Sequence, residues 1–251
     1  MTPRTLLILG GTTEAYALAE QLTREQSPQP LRVLTSLAGA TKTPRLPAGE
    51  VRFGGFGGAE GLADFLRKEN VTMLVDATHP FAEQISRNAA LAAEATGTPM
   101  LRLERPPWKP EPQDRWICVP NLDPAAAWLR EHPHTALLTT GIRELDAFRD
   151  CPDSRFVIRT ITPPHLEKSW PQAAFVQARG PFSVEDELQL LRKHAITLLV
   201  TKNSGGTATY PKIEAARRLT LPVLMIERPE LPQVESMPDV KQALFRLGQF
   251  M

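Results

Sequence analysis

Short apolar runs alternate with segments of helical period along almost the whole chain, and few architectures accept that pattern. The first run, 5–9, precedes a stretch in which Ala15, Leu18, Ala19 and Leu22 share one helical face. Further strands are expected at 31–35, 51–53, 73–76 and 100–103, with helices near 62–69 and 81–96. A parallel sheet covered by helices on both faces buries such a sequence.

At Arg105 the chain enters RPPWKPEPQD, where each proline removes a backbone donor and restricts the residue before it, so neither a helix nor a strand continues. Beyond it a second alternation begins. Strands are expected at 116–119, 136–139, 156–160, 175–178, 198–201 and 223–226, and helices near 124–131, 144–149, 184–194 and 211–219. The expected architecture is α/β, with two doubly wound domains whose parallel sheets face an interdomain cleft. Its divisions are an N-terminal domain over 1–105, a Pro-rich linker over 106–114 and a C-terminal domain over 115–251. One larger continuous sheet also fits 251 residues. A last helix near 240–247 can pack on either domain or on a partner.

Composition removes several function classes. A hydrophobic fraction of 42% supports a real core, yet no apolar stretch approaches the roughly 20 residues of a spanning helix, so no membrane association and a cytoplasmic location are expected. Cys118 and Cys151 form neither a CxxC pair nor a zinc-ligand spacing, which predicts no disulfide and no metal. With a formal net charge of +1 and no block of like charges, a nucleic-acid surface is not expected, and an acidic ligand must be met by a local cluster. The expected assembly is a monomer or weak homo-oligomer.

Ligands of open α/β sheets bind outside the carboxyl ends of the strands, so the loops after the apolar runs carry the candidate chemistry. After the first run come Gly10, Gly11, Thr12, Thr13 and Glu14. Glycines there let a phosphate approach the backbone, and the following helix offers its free N–H groups. The segment is not G-x-G-x-x-G, and a tight strand-to-helix turn capped by threonine explains the same residues. The second run ends in Thr35 and Ser36 rather than in the acidic residue that binds the ribose of NAD, and Lys42 and Arg45 follow. That pattern favours a 2′-phosphate, hence NADP, with a solvated basic loop as the alternative. Phe53-Gly54-Gly55-Phe56-Gly57-Gly58 places glycine pairs around an aromatic ring, an arrangement costly in chain entropy unless close approach or positive φ is required.

Asp76-Ala77-Thr78-His79-Pro80-Phe81 leaves a strand and enters a helix. Asp76 and His79 are the candidate acids there, Thr78 a candidate cofactor contact, and a histidine hydrogen-bonded at a helix start the alternative. In the second half, Thr139-Thr140-Gly141 follows one strand. Lys202, Asn203, Ser204, Gly205 and Gly206 follow another and offer a cation, short polar side chains and glycines for an anion nest. No Lys-Ser/Thr pair follows a glycine at Walker spacing, which argues against an ATPase.

Together these loops resemble the precorrin-6A reductase family, which includes the cobalt-precorrin-6A enzymes. The segments that carry the resemblance are LGGTTEA, GGFGG, DATHPFA, RGPF at Arg179 to Phe182, and TKNSGG with the following Lys212, Ala215 and Ala216. Arginine-proline at Arg105-Pro106 and Arg228-Pro229 extends it over nearly the whole chain. The resemblance implies two Rossmann-like domains, the first NADP-binding, and a reductase that uses NADPH to reduce a ring double bond of a corrin precursor, giving precorrin-6B. After Ser36-Leu37-Ala38-Gly39 relatives commonly carry an arginine, whereas this chain has Ala40, and Lys42 is the substitute. A tetrapyrrole rimmed by carboxylates would be oriented by several cations, and Arg102, Arg105, Lys109, Lys202 and Arg228 fall near expected strand ends or the linker. Two rival classes make different predictions. A non-catalytic NADP(H) sensor binds the cofactor without oxidising it, and a methyltransferase binds S-adenosylmethionine and ignores NADPH. The motifs do not separate a metal-free from a cobalt-containing substrate.

Overall fold

In a computed structural model of the chain, residues 4–24, 30–39, 46–161, 170 and 173–250 are described. The elements in chain order are β1 (Arg4–Leu9), α1 (Thr13–Arg24), β2 (Leu31–Leu37), β3 (Glu50–Phe53), α2 (Gly58–Lys68), β4 (Val71–Asp76), α3 (Glu83–Thr96) and β5 (Met100–Leu103). They continue as β6 (Arg115–Val119), α4 (Leu122–Glu131), β7 (Thr135–Leu138), β8 (Arg155–Thr160), β9 (Ala173–Gln177), α5 (Val184–Lys193) and β10 (Leu198–Lys202). The last are α6 (Pro211–Arg218), β11 (Pro222–Ile226), β12 (Ser236–Met237) and α7 (Val240–Gly248). Two compact units result: Met1–Pro106 with Glu230–Met251, and Pro107–Pro229.

In the first unit the sheet order is β12-β5-β4-β1-β2-β3, with every pair parallel. Alternation along β1 explains the two helical layers. Leu6 and Ile8 pack with Ala15, Leu18, Ala19 and Leu22 of α1 and with Ala243 and Leu247 of α7. Leu7 and Leu9 point the other way, into Leu62 and Leu66 of α2 and Ala89 and Ala92 of α3. Helix α1 starts where Thr12 Oγ1 accepts the Ala15 N–H at 3.2 Å, and α3 stops where Gly97 turns to a φ of 66°.

The second unit has the order β6-β11-β10-β7-β8-β9, again parallel throughout. Its α5–α6 face buries Leu137, Val157, Leu199, Val223 and Met225 against Leu191, Ile213, Ala215 and Ala216. The helix expected at 144–149 is a 310 helix over Ile142–Phe148, which buries Leu145 and Phe148.

Two domain boundaries differ from the sequence expectation. Residues 230–251 belong to the first unit, not to a C-terminal domain running to 251. The reason is strand pairing. β12 aligns Ser236 with Arg102 and Met237 with Leu103, and Arg102 N–H and Glu104 N–H donate to the carbonyls of Glu235 and Met237. A strand of two residues has no periodicity to read. The stretch expected as a linker is likewise part of the second unit from Pro107 onward. Trp108, 9% exposed, packs into its core, and the Asn203 side chain brackets the Trp108 backbone: Trp108 N–H donates to Asn203 Oδ1 at 2.7 Å and Asn203 Nδ2 donates back at 3.1 Å.

One helix position is set by a backbone neighbour. A Cβ at Gly61 of α2 would lie 1.8 Å from the Phe56 carbonyl oxygen. Gly61→Ala is therefore expected to destabilise the protein by about 1–3 kcal/mol, although alanine favours an open helix by about 1 kcal/mol. A urea unfolding curve measures it, and a gain in stability would mean that the 54–57 loop yields without cost.

Candidate functional site

The strand orders reveal where each sheet reverses direction. In the first unit the chain runs outward through β2 and β3 on one side of β1 and through β4 and β5 on the other. In the second it leaves β7 through β8 and β9, then returns to β10 and β11 on the opposite side. Crevices at such switch points, outside the carboxyl ends, are the binding positions of doubly wound sheets. They lie between the loops after β1 and β4, and between the loops after β7 and β10. A groove of about 600 Å³ is lined by α2 and α3 residues and contains no residue of these loops.

At the first switch point the glycines have separate reasons. A Cβ on Gly10 would meet Thr35 Cγ2 at 2.9 Å, so close packing of β1 on β2 requires its absence. Gly11 has a φ of 114° and a Cβ there would face open space, so its backbone is accessible. Thr12 is committed to structure. Its hydroxyl donates to the Ala77 carbonyl at 2.7 Å, tying the β1 loop to the β4 loop, while capping α1. Thr13 is exposed at the helix start, and Glu14 is paired with Arg105 at 2.7 Å. A residue expected at the cofactor and one expected at the substrate thus hold each other.

Across the switch point, Asp76 is 2% exposed. Its Oδ1 accepts from Thr78 N–H at 3.2 Å and Thr78 Oγ1 at 2.7 Å, and its Oδ2 lies 3.5 Å from Arg102 Nε. Arg102, also buried, donates from Nη1 to the Pro232 carbonyl at 3.1 Å. The void beside Asp76, Ser86 and Arg102 is about 10 Å³, room for one water at most. Asp76 therefore shapes the loop from below. His79 stands exposed above it, its Nδ1 accepting the Phe81 N–H at 3.3 Å, which leaves Nε2 to carry the ring hydrogen in the neutral form.

Ser36, expected at the adenosine end, sits at the tip of β2 in register with Arg52 of β3. Arg52 Nη1 donates to Ser36 Oγ at 2.8 Å. Lys42 and Arg45 lie outside the described residues.

At the second switch point Thr139 Oγ1 donates to the Val200 carbonyl at 3.1 Å and accepts from Lys212 Nζ at 3.2 Å. Thr140 is buried, and its hydroxyl oxygen has no partner among the described residues; Gly141 follows with a φ of 116°. Lys202 pairs with the Glu144 carboxylate. Asn203 holds Trp108, Ser204 N–H closes a tight turn onto the Lys202 carbonyl at 2.8 Å, and Gly205 takes a φ of 73° before Gly206. Arg228 donates from Nε to the Asn203 carbonyl at 2.9 Å and from Nη2 to the Ser204 carbonyl at 3.2 Å, so it braces the loop. Lys109 is exposed.

Sequence reasoning did not single out a buried polar cluster behind this loop. Lys212 is 5% exposed, and burial, then the charge of Arg159, pulls its pKa down to about 7, with Glu187 acting in the opposite sense. Arg159 and Glu187 form two parallel bonds of 2.6 Å. A signal existed for Lys212: it shares the buried helical face of Ala215 and Ala216, three and four residues on. No local signal marks Arg159 or Glu187.

Among the described residues there is no group of three or more His, Cys, Asp or Glu arranged to hold a metal ion, and no helix long and apolar enough to cross a membrane.

Comparison with known proteins matches residues 5–247 to the family described as Precorrin-6x reductase CbiJ/CobK. The precorrin-6A reductase of Rhodococcus erythropolis is 48% identical over 244 residues, covering 97% of both chains. The cobalt-precorrin-6A reductase of Priestia megaterium is 33% identical over 238 residues, covering 90% of this chain and 91% of the relative. A solved structure of CobK precorrin-6A reductase superposes with a TM-score of 0.91 at 40% identity, covering 98% of this chain and 97% of that one.

Proposed function

Because this chain belongs to the precorrin-6x reductase family, we propose that it reduces precorrin-6A to precorrin-6B with NADPH as the hydride donor, in corrin biosynthesis. The observation that carries the reading is full-length similarity, 48% to a precorrin-6A reductase against 33% to a cobalt-precorrin-6A reductase. The difference favours the metal-free substrate.

The residues present fit a dinucleotide. The accessible backbone of Gly11 and the first turn of α1 suit a pyrophosphate, with Gly10 letting β1 and β2 approach, and the tip of β2 suits the adenosine ribose. In the second unit the Thr140 hydroxyl, unpartnered among the described residues, lies beside Gly141, and these with the 202–206 loop suit an anionic group by themselves. NADPH, when bound, supplies the hydride. The protein's own part is to orient both reactants and to hold a proton for the reduced macrocycle. Asp76 keeps Thr78 and the following turn in place, His79 is the exposed acid, and Lys109 offers a cation to substrate carboxylates.

The test follows loss of NADPH absorbance with metal-free precorrin-6A, run beside the cobalt form and beside NADH. Consumption with a matching change in the macrocycle spectrum is expected. Tight NADPH binding without oxidation of the cofactor in the presence of either macrocycle would instead identify a sensor. His79→Ala is expected to lower kcat by on the order of 100-fold. Turnover within about threefold of the parent, well below the effect of an acid–base group, would remove His79 from that role.

A further inference from the structure

Arg52 occupies an environment unlike that of Arg32 and Arg105 in the same unit. Arg32 pairs with Glu50 and Glu69, and Arg105 pairs with Glu14. Arg52 has no carboxylate partner among the described residues. Its guanidinium donates from Nη1 to Ser36 Oγ at 2.8 Å and to the Gly54 carbonyl at 3.0 Å, and from Nη2 to the Gly55 carbonyl at 3.0 Å. The guanidinium carbon lies 3.8 Å from the centroid of the Phe56 ring, which packs edge-on against Phe65.

This arrangement accounts for the glycine-aromatic-glycine segment. Gly54 at a φ of 96° and Gly57 at 82° turn the chain so that two carbonyls face the guanidinium and the ring lies against it. Gly61 lets the Phe56 carbonyl approach the α2 backbone. The loop thus orients a cation without neutralising it. Three of the five guanidinium N–H groups are used within the protein, which leaves Nε–H and one Nη2 hydrogen, and Ser36 retains its own O–H to donate. All of this lies at the tip of β2 and β3, in register, where doubly wound sheets meet the adenosine ribose and where this chain lacks the acidic residue suited to an unphosphorylated ribose.

We propose that Arg52, held by Phe56 and the Gly54 and Gly55 carbonyls, binds the 2′-phosphate of NADPH together with Ser36 and is the determinant of NADP over NAD in this chain. The assignment rests on the NADPH reading above and moves the phosphate contact from Lys42 to a residue of β3. Arginine suits the task because its planar fork meets two phosphate oxygens at once.

The experiment is calorimetric titration of the full chain with NADP+, NAD+, adenosine 2′,5′-bisphosphate and AMP, for the parent, Arg52→Gln and Arg52→Lys. Arg52→Gln is expected to weaken NADP+ and the bisphosphate by about 10–100-fold, the worth of charge-assisted hydrogen bonds, while NAD+ and AMP change by less than about threefold. Arg52→Lys, which keeps the charge and loses the fork, should fall between, and thermal melting verifies that each variant is folded. A parent that binds neither dinucleotide would overturn the NADPH reading itself. A parent that prefers NADP+, with the preference unchanged in a folded Arg52→Gln, would overturn this assignment alone. Equal weakening of all four ligands would also overturn it, because it marks Arg52 as a support of the loop.

Discussion

Glu187→Ala is expected to lower the free energy of unfolding by about 3–5 kcal/mol, the usual consequence of leaving one member of a buried ion pair alone. Arg159 and Glu187 are 7% and 1% exposed, joined by two bonds of 2.6 Å between the end of β8 and the first turn of α5. Without the carboxylate, the guanidinium retains, among the described residues, the Phe182 ring 4.3 Å away, and its Nε already has no partner there. The charge of Arg159 would then act on Lys212 unopposed, because Glu187 is the group that favours the protonated amine. Replacing both partners, as Arg159→Met with Glu187→Leu, should recover most of the loss, since no buried charge is orphaned. Urea unfolding at neutral pH measures all three proteins. A loss below about 1 kcal/mol in Glu187→Ala, the range of exposed pairs, would mean that water reaches the pair.

Lys212→Met should abolish a dependence of stability on alkaline pH. The amine titrates near 7 in the folded protein against an ordinary value of 10.5, chiefly because burial disfavours its charged form. Above about pH 10.5 it is neutral folded and unfolded, and contributes no pH-linked penalty. Between about 10.5 and 7 the unfolded chain holds a proton that the folded chain does not, so stability falls as pH falls. Below 7 both states are protonated and the full penalty, roughly 5 kcal/mol by the pKa difference, persists. The difference between parent and Lys212→Met from pH 7 to 10 isolates this group from other titrating residues. Methionine fills similar volume against Trp108 and leaves Thr139 Oγ1 its bond to the Val200 carbonyl. The variant should therefore equal or exceed the parent in stability at pH 7 and lose any advantage near pH 10. Parallel curves would show that Lys212 is charged and solvated in the folded state.

The relation between the two candidate acids shows how residue type and surroundings divide the work. Asp76 and His79 stand three positions apart in one turn, and sequence alone ranks them together. Burial separates them: Asp76 is enclosed, with Thr78 and Arg102 about its carboxylate, whereas His79 lies on the surface of the same turn. A similar division holds among the expected substrate cations. Arg102, Arg105 and Arg228 each brace a neighbouring segment, and Lys109 is exposed.

Much of the fold was legible because burial writes a local code. Leu6 and Ile8 against Leu7 and Leu9, or Ala15 with Leu18, Ala19 and Leu22, repeat with the period of a strand or helix, so the elements and the loops after them follow from neighbouring residues. The glycines of 10–11 and the K-x-x-AA face of α6 carry the same kind of signal. What lacks a local period stayed hidden. β12 is two residues long and joins β5 across more than a hundred positions, and Trp108 is core although prolines surround it. The pairings that assign roles, Glu14 with Arg105, Arg52 with Ser36 and Arg159 with Glu187, depend on strand register and helix placement. Hydrophobic periodicity by itself therefore determined a doubly wound α/β chain with glycine-rich loops at its strand ends. Only the tertiary structure decided which charges neutralise one another and which remain for a ligand, because those energies depend on distances between residues that the chain brings together only on folding.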